Sequence, residues 1–197
     1  MGEFGNNYKG NKELSTISTY FWNSVANYNE WSESQLNIVN LNQNYVNSIR
    51  GKWSDLIATT NWQVGGITKD QSNTPRSVYI YEIEGPIENV IYSAKIGLMY
   101  VSDYGYAASP ENWNTNMESL DNNTNYNNWM FMGLYEWTIS RCSDNMDSAF
   151  YVHDRGSVIR TPVDSHVSGI RPAFYLNSDV ELASGIGTQI DPYRLSV

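Results

Sequence analysis

The spacing of apolar and polar positions changes several times along this chain, and each change marks an element. From Glu33 to Ile49 the apolar positions Leu36, Val39, Tyr45, Val46 and Ile49, with Ile38 and Leu41 beside them, follow the rhythm of an amphipathic helix. Ser32 or Ser34 stands where a cap is needed, and Arg50-Gly51 ends the run. A second short helix is expected after Lys52, using Trp53, Leu56 and Ile57, before the breaker Val64-Gly65-Gly66. Residues 67–76 read as a loop. Ser77 to Glu84 alternates with period two and predicts a strand, and Lys95 to Ser102 predicts a strand buried on both sides. Upstream, the apolar patch from Ile17 to Val25 predicts a lead-in strand or loop. Ala107 to Asn128 is polar and rich in Asn, too long for a plain connector, and reads as a functional insertion or a packed loop. Trp129 to Trp137 turns apolar again. The last third predicts short strands at Trp137–Arg141, Ala149–Asp154, Val158–Thr161 and Ala173–Leu176, with a hairpin turn at Asp154-Arg155-Gly156-Ser157. No solenoid repeat and no linker interrupts this order, so one α+β domain is the economical reading.

Composition narrows the function classes. Charged residues make up only 17% of the 197, while Asn and Ser are the commonest residues and Tyr and Trp are plentiful beside few Phe. Tyr and Trp carry a large apolar body with a polar tip, and Asn and Ser supply adaptable hydrogen bonds, a mixture that recurs in binding surfaces. AT-rich coding also inflates Asn and Tyr, but it does not account for the Trp. The net charge of −9 repels polyanions, and no basic run offsets it, so nucleic acid is not an expected partner. A single cysteine, Cys142, excludes an internal disulfide and any multi-cysteine metal site. No stretch approaches the length of a membrane span. Met1-Gly2-Glu3-Phe4 reads as a cloning scar, which sets the expected boundaries: residues 1–5 as scar and residues 6–197 as one domain.

The blocks Glu136-Trp137-Thr138-Ile139-Ser140-Arg141, Ala149-Phe150-Tyr151-Val152, Gly156-Ser157-Val158 and Gly169-Ile170-Arg171-Pro172-Ala173-Phe174-Tyr175-Leu176 resemble the modules of unknown function with a C-type-lectin-like, or sulfatase-modifying-factor-like, fold found in surface proteins of gut Firmicutes. Trp31-Ser32-Glu33-Ser34-Gln35-Leu36 with Leu41-Asn42 and Tyr45 is similar to that family's early helix, and Lys95 to Ala107 is similar to a block of its prepilin-like members. The resemblance spans roughly residues 30–195. It implies a C-type-lectin-like fold with two N-terminal helices and a C-terminal set of short antiparallel strands. It also implies an extracellular or surface protein, anchored through a segment upstream of residue 1, and sometimes associated with a pilus. Similar folds serve as the variable proteins of diversity-generating retroelements. The expected function is therefore an adhesin-like binding module, not an enzyme, with a protein or glycan ligand outside the cell and pilus or surface assembly partners. The alternative is a structural subunit of a pilus or phage particle without a ligand of its own.

Chemistry-bearing constellations are few. His153 and His166 match no zinc spacing, Ser140 to Asp144 offers a nucleophile without a base in register, and no phosphate-binding glycine loop is present. The copper-dependent oxidation of the related formylglycine-generating fold needs paired thiols and does not transfer. No cofactor is expected, with Ca²⁺ left open: Asp144-Asn145-Met146-Asp147 and Asp121-Asn122-Asn123 offer suitable oxygens, and Glu111-Asn112-Trp113-Asn114 faintly resembles a lectin motif. The candidate binding face comprises Asp144, Asn145, Asp147, Tyr151, His153, Arg155, Arg160, Thr161 and His166. Tyr151, His153 and Arg155 alternate and are expected to point outward, with Phe150 and Val152 inward. Arg171 is expected to clamp backbone carbonyls or a carboxylate rather than to contact ligand.

Overall fold

The computed structural model describes residues 4–5, 14–15, 19–49, 51–71, 73–120, 127–165 and 168–197. Its strands are β1 (Phe4–Gly5), β2 (Leu14–Ser15), β3 (Thr19–Tyr20), β4 (Thr60–Gln63), β5 (Ile91–Ala94), β6 (Gly97–Leu98), β7 (Glu136–Arg141), β8 (Ser148–Val152), β9 (Val158–Pro162), β10 (Ser168–Gly169), β11 (Pro172–Ala173), β12 (Glu181–Ser184) and β13 (Arg194–Ser196). The organising element is a mixed five-stranded sheet in the order β3-β10-β7-β8-β9. β7, β8 and β9 form the antiparallel meander that the strand spacing predicts, closed by a turn in which Gly156 adopts φ +97°. β10 departs from the expected antiparallel set, because it runs parallel to β7 and antiparallel to β3. Small two-stranded pairings surround this sheet, β4 with β5, β6 with β11 and β12 with β13. The architecture is α+β.

Every residue of β7 and β8 is buried. Successive side chains of a strand point to opposite faces, so both faces of this pair must be covered, while β9 at the edge stays half-exposed. Trp137, Ile139, Ala149 and Tyr151 pack with Trp22, Trp31, Leu36, Leu41, Trp62, Leu98 and Tyr100 on one side. Cys142, Phe150, Val152 and Val158 pack with Ile67, Val78, Met99, Val101, Tyr104 and Met117 on the other. This overturns the outward orientation expected for Tyr151: its ring is 6% exposed and lies against Trp137, with ring centroids 5.7 Å apart. A period-two reading assigns one wet face to each strand, and here there is none.

Two reciprocal indole bonds fix the early chain to this sheet. Trp22 Nε1 donates to Thr138 O at 2.8 Å and Trp137 Nε1 donates to Tyr20 O at 2.7 Å. The polar residues of β7 are likewise paired. Thr138 Oγ1 donates to Phe150 O at 2.8 Å, and the buried Arg141 bonds Gly65 O, Glu30, Asn29 and Glu88. Arg141 thereby explains the Gly65-Gly66 break. A Cβ on Gly66 (φ +78°) would sit 2.3 Å from Arg141 O, and one on Gly65 would sit 1.7 Å from Glu88 O.

Two helical segments lie in the N-terminal half. The first runs over Leu36–Tyr45 in wide π turns and finishes as Val46–Ser48, close to the predicted range. Leu36, Val39 and Leu41 are buried on it. The second covers Pro75–Tyr79 and Ile80–Glu84, where the alternating pattern predicted a strand. Local chemistry decides against the strand: Thr74 caps, Pro75 opens the first turn, and Ser77 returns a bond to Thr74 N at 3.0 Å. The expected helix after Lys52 is a 3₁₀ stretch, Gly51–Leu56. Lys95 to Ser102 is largely buried as expected, yet only Gly97–Leu98 is extended, and a short helix starts at Val101 and runs to Tyr106. Gly169 to Leu176 also divides. Gly169 pairs with β7 and Pro172-Ala173 with β6, while Leu176 bridges Ile57. Among the described residues no helix is long and apolar enough to cross a membrane.

Because Trp137 fills one face of the sheet and also ties it to Tyr20, its truncation is expected to be severe. Trp137→Ala should lower unfolding free energy by about 3–5 kcal/mol, measured by urea denaturation, and Trp137→Phe should lose less.

Candidate functional site

With the strand faces covered, open chemistry lies in the connections. A cleft of about 450 Å³ opens where the Val101–Tyr106 helix, the Tyr79 turn, the segment around Trp129-Met130 and the Arg171–Ala173 segment meet. Its floor is apolar, with Met99, Ala107 and Met130, and its walls carry Tyr79, Tyr106 and Trp129. Tyr106 stands edge-on to Tyr79 at 6.0 Å and to Trp113 at 5.0 Å, so the wall is a packed aromatic row. Trp129 is 79% exposed at the cleft, which is unusual for the largest apolar side chain. Asp103 and Arg171 supply the charged atoms.

The cleft borders an exposed apolar loop. Met132, Leu134 and Tyr135 are exposed, and Gly133 takes φ +68° at the bend between them. Arg171 fixes both feet of this loop, donating through Nη2 to Met130 O at 2.8 Å and to Glu136 Oε2 at 2.7 Å, with Nε on Glu136 Oε1 at 3.3 Å. The clamp expected of Arg171 is thus present, on a carbonyl and a carboxylate. Asn128 adds a second anchor: its Nδ2 donates to Tyr104 O at 2.7 Å and its Oδ1 accepts from Met130 N at 2.9 Å. Gly169 N donates to Tyr135 O at 2.8 Å, and a Cβ on Gly169 would crowd that oxygen at 3.2 Å.

Beneath the cleft sits Glu82, 1% exposed and facing its own protein. Its carboxylate accepts from Ser102 N at 3.0 Å, Ser102 Oγ at 2.6 Å and Val101 N at 3.2 Å, and it pairs with Ser140 Oγ. It therefore satisfies the unpaired N–H groups that open the Val101–Tyr106 helix. Burial pushes its pKa up to about 7, against the pull of the Ser102 and Ser140 bonds. Asp103 caps the same turn by accepting from Tyr100 N at 2.9 Å, and partial burial raises its pKa as well.

The residues expected from sequence fall into two other groups. Asp144, Asn145, Asp147 and Arg160 gather around Cys142. The Cys142 Sγ donates to Asp144 Oδ1 at 2.9 Å, Arg160 Nη1 donates to that sulfur at 3.3 Å, and Asn145 Oδ1 accepts from Asp147 N at 3.0 Å. Burial, with the Asp144 bond, pushes the Cys142 thiol up to about 11, so it is held protonated. Thr161 is half-buried on β9 and pairs with Ala149. In the second group Tyr151 is buried, His153 is half-buried with its ring 4.8 Å from that of Tyr135, and Arg155 is exposed on the hairpin turn. His153 and Asp154 approach to 2.6 Å. Tyr135 is the far foot of the loop that begins at the cleft, so His153 touches that loop from its other side. His166 lies outside the described residues, as do Asp121, Asn122 and Asn123. Glu111 and Asn112 bond the Ser109 hydroxyl instead: Ser109 Oγ donates to Glu111 Oε1 at 2.7 Å and accepts from Asn112 Nδ2 at 3.2 Å. Among the described residues no group of three or more His, Cys, Asp or Glu side chains is placed to hold a metal ion.

Sequence reasoning missed the cleft. Trp129 and Tyr106 were visible as aromatic residues, but their convergence depends on the helix at Pro75–Glu84, which the alternation disguised. No family model matches the chain, and neither a curated protein nor a solved structure matches it.

Glu82 makes stability depend on pH. Its folded pKa of about 7 lies above the unfolded value of 4.5, so the folded state binds the extra proton between them. Unfolding free energy should therefore fall as pH rises from about 4.5 to about 7 and then level, by a few kcal/mol at most. Glu82→Gln should flatten the Glu82 part of that fall in urea melts across this range, leaving the contribution of Asp103, which acts in the same direction.

Proposed function

We propose that this chain is an extracellular, non-enzymatic binding module of C-type-lectin-like fold, and that the aromatic cleft with its adjoining loop is the ligand site. The observation that carries the reading is the exposure of Trp129 over a walled apolar cleft, next to a loop whose feet are fixed by Arg171. Concave, mostly apolar sites with a few placed polar groups are where ligands bind, and an exposed apolar loop marks contact with something larger. The pinned scaffold supports the fold assignment: an early strand, β3, lies beside the late strand β10, and the regular elements are short while the connections are long. The buried carboxylate Glu82 is spent on the fold's own hydroxyls and amides, which favours binding over catalysis.

The ligand on this reading is a protein or glycan outside the cell. Printed arrays of glycans and of extracellular protein fragments, probed with the full chain, test it. Trp129→Ala should weaken the strongest array binding about tenfold or more, as loss of a buried aromatic anchor does. The double variant Asp144→Ala, Arg155→Ala should leave it within about twofold, since neither side chain lines the cleft. The opposite pattern moves the site to the Cys142 group and the hairpin turn.

One observation favours the second reading, a structural subunit of a pilus or phage particle. The β12–β13 hairpin is exposed throughout, with Leu182, Ile186, Ile190, Tyr193 and Leu195 all in solvent. A two-stranded hairpin is marginal by itself and gains from a third strand. On that reading the chain self-associates in light-scattering measurements at rising concentration, and Leu182→Lys returns it to monomer.

A further inference from the structure

We infer that the cleft takes an organic cation, an alkylammonium group presented against Tyr79, Tyr106 and Trp129 with Asp103 as its counter-charge. The inference rests on the reading of the cleft as a ligand site and names the chemistry of its occupant. Charge decides first. Among the described residues Arg171 is the one cation lining the cleft, and its charge is already balanced: Glu136 takes Nε and Nη2 at 3.3 and 2.7 Å, and Nη2 also donates to Met130 O at 2.8 Å. An anionic ligand would find Nη1 alone, on a guanidinium whose charge Glu136 already balances. Asp103 carries the opposite balance. Tyr100 N bonds Oδ2, and among the described residues no cationic side chain lining the cleft is left to pair with the carboxylate. A neutral apolar ligand would strip water from this carboxylate and return nothing, which is costly, whereas a cation compensates it.

The walls decide next. Tyr79 and Tyr106 stand at 77° to each other, so two differently directed π systems border one space, and Trp129 supplies a third, exposed ring. Ring faces attract cations, Trp most strongly, and the attraction grows where water is excluded. Glu82, one layer below Ser102, adds further negative charge behind the floor whenever it is ionised. A volume of about 450 Å³ admits a choline-sized group or the end of a lysine side chain.

The test is a titration of the full, ¹⁵N-labelled chain, following the Trp129 indole N–H resonance, assigned by its loss in Trp129→Phe. Three probes are compared: choline, its uncharged isostere 3,3-dimethylbutan-1-ol, and Nα-acetyl-lysine methylamide. Choline should shift the resonance saturably and bind about tenfold or more tightly than the isostere. Asp103→Asn keeps an acceptor for Tyr100 N, so the helix start survives, and it should erase the preference for charge. If choline outbinds the lysine amide the source is a small quaternary amine, and if the lysine amide outbinds choline it is a peptide side chain; either supports the cation. Equal or tighter binding of the isostere overturns the proposal, as does a preference that Asp103→Asn leaves intact, or no saturable shift with either cation. Those failures leave the Trp129-dependent array binding standing, whereas loss of that dependence removes the cleft as a site altogether.

Discussion

The fold depends on covering both faces of one antiparallel pair. β7 and β8 are buried along their whole length, so each outward turn of the pleat meets a second core rather than water. That constraint is demanding because β7 is not an apolar strand. Glu136, Thr138, Ser140 and Arg141 would each be destabilising if left unpaired at such depth. Each is matched instead, by Arg171, by Phe150 O, by Glu82, and by the group of Glu30, Glu88 and Gly65 O. These partners come from segments spread across the chain, so the strand acts as a hub on which distant connections are registered.

The same constraint determines where contact with other molecules can occur. The β7–β8 pair, with no wet face, offers no side-chain row to a ligand, and on the proposed reading the loops take that role. They do so only if they hold still, which is the work of Arg171 and Asn128 at the feet of the loop through Met132 and Leu134. Arg171 thus serves both the strand, by pairing Glu136, and the cleft, by setting the position of Met130. Support from a buried partner lets an exposed Trp129 present a defined surface rather than a mobile one.

Much of this was legible in the sequence, and the failures have physical causes. The meander, its hairpin turn, the first helix and the α+β class follow directly from spacing and turn chemistry. The helix at Pro75–Glu84 did not, because Val78 and Ile80 alternate with Ser77, Tyr79 and Tyr81, yet Thr74-Pro75 with Ser77 satisfies a helix start. Tyr151 was assigned outward because period two alone cannot distinguish one covered face from two. The abundance of Asn read as surface chemistry, but Asn29, Asn37, Asn42 and Asn128 turn their side-chain amides inward and donate to backbone carbonyls of other segments. Asn42 also accepts from Ile96 N and donates to Ile96 O, in the manner of a strand neighbour. The candidate face from Asp144 to His166 was drawn from loop position along the chain, and sequence carries no signal that the cleft would form between four distant segments instead.

Glu82 shows why the buried polar chemistry and the cleft belong to one arrangement. A helix of only six residues opening inside a core leaves its first N–H groups without solvent, and something must accept them. A carboxylate can accept from Val101 N, Ser102 N and Ser102 Oγ together, which an amide cannot match, at the cost of holding charge in an apolar place. The six-residue helix it permits carries Asp103 and Tyr106 to the cleft and Tyr104 to the hairpin turn, where its hydroxyl donates to Gly156 O at 3.0 Å. The short helix and its buried acid therefore work together: the acceptor beneath Ser102 satisfies the first N–H groups of the helix that brings Asp103 and Tyr106 to the cleft.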